Sequence, residues 1–162
     1  MILTAFTLFH VLLSLIGIGS GFFVLYRLLI SKWSGAGNTL FLITTVATSV
    51  TGFFFPFDHF LPSHAIGILS LIVLGLAIVA RYRFHLTGAW RRTYVISALI
   101  ALYFNVFVLV AQMFQKIPAL KALAPTQSEG PFKVTQLVVL AVFVLFTIRA
   151  AAKFHNEPLR AT

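Results

Sequence analysis

The chain contains no cysteine and only three acidic residues in 162. The missing thiols exclude disulfides, zinc thiolate sites, iron-sulfur clusters and thiol redox chemistry together. Any cofactor must therefore be held by His, Asp, Glu, Asn, Gln, Met or backbone groups. Charge of either sign is scarce: 9% of residues are charged, against about 25% in a soluble globular domain. None of the long apolar runs has an Asp or Glu in its interior, which argues against a proton-coupled transporter built on a buried carboxylate. No inverted internal repeat of the transporter kind is present. The first ten residues have no basic n-region, and no A-x-A-like site precedes a polar mature sequence, so the first apolar run is expected to stay as a helix.

What is abundant is apolar side chain, at 60% of residues. Such a chain has the bilayer as its natural solvent. The reading is an all-α, polytopic integral membrane protein, a single transmembrane domain over 1–162. Five helices are expected at about 2–29, 38–57, 63–81, 93–115 and 133–152, each near the roughly 20 residues that cross a hydrocarbon core. The compact loops point to a bacterial inner membrane protein with several passes.

The +9 net charge would suggest nucleic acid in a soluble protein. Here the basic residues sit between apolar runs and act as topology signals, so the expected partner is lipid and not nucleic acid. Arg27, Lys32, Arg81, Arg83, Arg91, Arg92, Arg149, Lys153 and Arg160 fall on one side of the predicted bundle, and Lys116, Lys121 and Lys133 on the other. The positive-inside rule then puts the N-terminus outside and the C-terminus in the cytoplasm. Tyr26, Trp33, Tyr82, Trp90 and Tyr94 fall at the same inner level, where amphipathic rings settle.

Helical spacing gives four of the helices an inward stripe. The first carries His10, Ser14, Gly17 and Gly21; the second carries Thr44, Thr48 and Thr51 beside Gly52. In the fourth, Ser97, Asn105, Gln112 and Gln115 share a face, and in the fifth Gln136 and Thr147 do. The small residues read mainly as close helix packing.

Ionisable groups inside a span are costly and mark sites. The stretch FFFPFDHFLPSH, residues 53–64, crowds Asp58, His59 and His64 between the second and third helices. His10 is expected roughly 12 Å below the outer surface at 1.5 Å per residue. With Gln112 and Gln136 these residues are expected to converge in the outer half of the bundle. His85 and His155 lie in basic flanks and read as solvated. The alternative for His10 is a neutral imidazole satisfied by Ser14 or a glutamine.

Three cofactors suit this set. A b-type haem takes two imidazoles as axial ligands; His10 and His64 are the pair, with phenylalanines of 53–60 as slot walls and Lys116, Lys121 or Lys133 near the propionates. A quinone headgroup takes a histidine donor flanked by aromatics, with Gln112, Gln136 and Tyr103 contributing. A divalent transition metal (Cu, Zn or Fe) takes His10, Asp58, His59 and His64. The first two imply membrane electron transfer. A hydrolytic triad is missing, since Ser63 beside His64 reads as a helix cap. A different class is an accessory or assembly subunit with no chemistry of its own, packed against other membrane subunits or against copies of itself.

Overall fold

The computed structural model describes residues 2–56 and 62–154. Asp58, His59, His155 and Arg160 lie outside the described residues. The described chain is helical and has no strand. Its elements are α1 (Ile2–Leu29), α2 (Gly35–Gly52), α3 (Pro62–Ile78) with a π-turn (Val79–Arg83), α4 (Ala89–Lys116), a short α5 (Pro118–Leu123) and α6 (Gly130–Lys153).

Local chemistry explains where each helix stops. The end of α1 closes through Ser31, in left-handed conformation at φ 53°. Ser31 N donates to the Leu28 carbonyl at 3.1 Å and Lys32 N to the Arg27 carbonyl at 2.8 Å, the paired closure of a Schellman motif. Helix α2 starts at Ser34, whose hydroxyl accepts from Gly37 N at 3.3 Å, as an N-cap does. It ends at Gly52, earlier than the expected 57, and Pro56 disfavours helical geometry in the residue before it. Pro62 opens α3 where its missing N–H costs nothing. At the far end of α4, Ile117 is extended (φ −88°, ψ 116°) because Pro118 follows, and Pro118 then nucleates α5, which the hydropathy pattern did not foresee. The starts of α4 and α6 run three or four residues further out than expected, since Arg91, Arg92 and Lys133 are tolerated in helix at an interface.

Thr4–Leu29, His64–Arg83, Ala89–Lys116 and Gly130–Lys153 are each long and apolar enough to cross a membrane. The chain is a helical membrane bundle. Helix α2 differs: it has 18 residues, about 27 Å at 1.5 Å per residue, and it buries Asn38, Thr44, Thr45, Thr48 and Ser49. It packs most extensively on α1 and also against α3 and α4. Helix α4 is the central strut, touching α1, α2, α3, α5 and α6.

The dry core occupies one half of the bundle. Val24, Leu25 and Leu28 of α1 meet Phe41 and Leu42 of α2, Leu74 and Ala77 of α3, and Tyr94, Leu99 and Leu102 of α4. At Gly21, α1 comes so close that an added Cβ would lie 2.4 Å from Leu102 Cδ1 and 2.9 Å from Phe41 Cε2. This half ends in a polar rim at the arginine-rich end, where the buried Tyr94 hydroxyl donates to Asn38 Oδ1 and Asn38 Nδ2 to the Ser34 carbonyl at 2.7 Å. The opposite half is not filled.

Candidate functional site

The unfilled half holds a cavity of about 570 Å³ between α1, α2, α3 and α4, within the size range of small-molecule sites. Helix α1 supplies Thr7, His10 and Ser14, spaced by three and four residues and so on one face. Helix α2 supplies Thr48, Ser49 and Gly52, and the turn after it Phe53, Phe55 and Pro56. From α3 come His64, Gly67 and Ser70. From α4 come Phe104, Asn105, Val108, Gln112 and Lys116, again one face at steps of three and four.

His10 is tied to α2. Its Nδ1 lies 2.8 Å from Thr51 Oγ1, and the Thr51 hydroxyl is itself 2.7 Å from the Ala47 carbonyl. A hydroxyl has one proton to give. When Thr51 gives it to Ala47, Thr51 accepts from His10 Nδ1 and a neutral imidazole keeps its lone pair on Nε2. The ring also stands edge-on to Phe55, with centroids 5.0 Å apart, and Phe55 in turn packs on Phe6.

His64 approaches from the other side. It is buried at 6% exposure in the first turn of α3, with its ring 5.8 Å from that of Phe53. Phe53 fits there because Gly67 has no side chain: a Cβ on Gly67 would sit 3.0 Å from Phe53 Cζ. The two imidazoles therefore flank the Phe53–Phe55 turn, His10 on Phe55 and His64 on Phe53. Deeper in the bundle, Ser49 Oγ donates to Ser70 Oγ at 3.1 Å and Asn105 Nδ2 to Thr45 Oγ1 at 3.4 Å. These contacts tie α2 to α3 and to α4 in the wall of the cavity. The buried Thr48 hydroxyl has no hydrogen-bond partner.

Of the expected site residues, His10, His64 and Gln112 line this one cavity, and Gln136 does not. Gln136 Nε2 donates to the Phe107 carbonyl at 3.1 Å, and the residue lines a separate depression with Tyr103, Phe107, Phe132 and Lys133. The reason is helical phase. Phe107 is two residues, about 200°, from Asn105, so α6 packs on the side of α4 facing away from the cavity. Tyr103 is on that far side too. Lys116 lines the cavity, whereas Lys133 does not. Among the described residues no group of three or more His, Asp or Glu could hold a metal ion, and Asp58 and His59 lie outside them. Spacing alone missed Thr51 as the partner of His10, although both stood in the inward stripes of adjacent helices. His85 is exposed, as a flank residue should be.

The cavity can therefore receive a ligand with acceptor oxygens. Its polar groups include Lys116, Gln112 and the histidines, and among the described residues no carboxylate lines it. Around these groups stand Phe53, Phe55 and Phe104. Val11, Leu15, Met113 and Ile117 also line it and are 38–50% exposed, giving it an apolar flank between α1 and α4. No family model matches this chain, and neither a curated protein nor a solved structure is similar to it.

Proposed function

We propose that the protein is a five-span bacterial inner-membrane protein that binds a quinone headgroup for membrane electron transfer. In this reading α2 is the fifth span, the N-terminus is outside, and the cavity opens near the outer face. The observation that carries it is the convergence of His10, His64, Gln112 and Lys116 on one aromatic-lined cavity with an exposed apolar flank. A quinone reaches such a site through the lipid, places its ring among the phenylalanines, and accepts hydrogen bonds from Gln112 and Lys116. When a separate membrane redox protein takes the electrons of a bound quinol, a neutral His10 with its lone pair on Nε2 takes the proton that the quinol hydroxyl releases.

The same histidine state favours a second reading, a b-type haem with His10 and His64 as axial ligands. Iron takes an imidazole through the nitrogen that carries the lone pair, and ligating histidines are typically oriented by a hydrogen bond from the other ring nitrogen.

Purification of the full chain in mild detergent, organic extraction and a visible spectrum with and without dithionite separate these readings. Quinone in the extract, together with binding of a short-chain ubiquinone that is weakened about tenfold in Gln112→Ala, supports the first; loss of one hydrogen bond of about 1.4 kcal/mol has that effect. A Soret band lost in both His10→Ala and His64→Ala moves the assignment to haem. A colourless, folded preparation that binds no quinone overturns both, and co-purifying stoichiometric subunits would then favour an accessory role.

A further inference from the structure

Two arginines at the end of the bundle opposite the histidines grip one short segment. Arg27, in the last turn of α1, donates from Nη2 to the Trp33 carbonyl at 2.9 Å. Arg81 donates from Nη2 to the Gly35 carbonyl at 3.0 Å and to Thr39 Oγ1 at 2.8 Å. Arg81 sits within the π-turn Val79–Arg83, whose wider winding turns side chains off the register of α3; such turns recur at functional sites. Its guanidinium carbon is 5.4 Å from the Trp33 ring centroid and 4.7 Å from that of Tyr82. Arg27 Nε and Arg81 Nη1 are buried without an acceptor.

Among the described residues the charges here have one sign. The gripped segment is the start of α2, whose N-terminus carries about half a positive charge, and its first turn has no acidic residue. Two guanidinium cations thus meet at the positive end of a helix, held there by hydrogen bonds to neutral acceptors. Glu129, the one acidic residue among the described residues, caps α6 at the other end of the bundle. Arginines held in place by backbone carbonyls present planar donor forks, the geometry that matches phosphate oxygens. Tyr26 and Tyr82, next to them along α1 and the π-turn, are 60% and 52% exposed, and such rings settle at the headgroup level of a bilayer.

We propose that Arg27, Arg81 and the first turn of α2 bind a phosphate group, supplied by the headgroup of an anionic phospholipid. The phosphate neutralises the two guanidinium groups and the helix end together, and it ties the α1–α2 loop to α3 at the membrane surface.

The test is thermal unfolding of the full chain in nanodiscs of phosphatidylcholine, alone or mixed with phosphatidylglycerol. Phosphatidylglycerol is expected to raise the midpoint by about 3 °C or more, and Arg27→Gln/Arg81→Gln to abolish that rise while Lys133→Gln keeps it. Inorganic phosphate added to phosphatidylcholine discs is expected to do little; an equal rise from it would overturn the lipid source and assign a soluble phosphate. No rise in the wild type, or an undiminished rise in the double variant, overturns the site itself. If the double variant does not fold, native mass spectrometry of the wild type in an equal lipid mixture decides: preferential retention of phosphatidylglycerol supports the site, and indifferent retention overturns it.

Discussion

Gly21 shows how much one missing side chain decides. Helix α1 can reach Phe41 and Leu102 because nothing stands between them, and both of those residues are about fully buried with no room to swing aside. Gly21→Ala should therefore cost about 1–3 kcal/mol through overpacking. Gly19→Ala, with nothing within 4 Å of the added Cβ, should be neutral or stabilising by up to about 1 kcal/mol. Thermal unfolding in detergent separates the two. Tyr94 makes the complementary point for a polar group: Tyr94→Phe leaves Asn38 Oδ1 buried without its donor, and a loss of about 1–3 kcal/mol is expected. An unchanged midpoint would mean that water or another donor serves Asn38.

At the scale of an element, the start of α6 is a small acid-sensitive device. Glu129 accepts from the Thr126 hydroxyl at 2.7 Å and from the backbone N–H groups of Thr126 at 3.2 Å and Ser128 at 3.0 Å. The Thr126 hydroxyl, and after it these N–H groups, hold the carboxyl below its ordinary value. A depressed carboxylate contributes order that is fully present above the unfolded value and is lost as pH falls through the lower folded one. Amide exchange at Thr126 and Ser128, taken relative to the intrinsic rate at each pH, should lose protection over that acidic window. In Glu129→Gln protection should be low at every pH, and wild-type protection flat through the window would refute the assignment. Helix α2 is the other informative element. Its buried Ser49 and Thr45 meet polar partners on α3 and α4, as suits a helix packed among other helices.

For the whole molecule, the open question is parity. If α2 spans the bilayer together with the four more apolar helices, the two ends of the chain lie on opposite faces; if it does not, they share one. Reporters fused to each terminus should give opposite sidedness, with the C-terminal one active in the cytoplasm, as the nine-to-three distribution of Lys and Arg implies. The same side for both would leave four spans. The bundle is also uneven along its axis. Packing is dense where Val24 to Leu28 meet Leu99 and Leu102, and open where His10, His64 and Gln112 meet.

By itself the sequence determined the helical class and which runs are long and apolar enough to cross a membrane. Those follow from composition, run length and the cost of charge in lipid, which act residue by residue. It could also put His10, Thr51 and Gln112 on inward stripes, since a stripe is a matter of phase within one helix. Which stripes face one another was decided only in the tertiary structure. Gln112 and Gln136 looked equivalent along the chain, yet α6 docks on the back of α4 and takes Gln136 away from the cavity. Likewise His10 finds its hydrogen-bond partner in Thr51, 41 residues away, and Arg81 reaches α2 by way of a π-turn. Helical periodicity orients side chains around an axis; only packing between axes sets the distances on which chemistry depends.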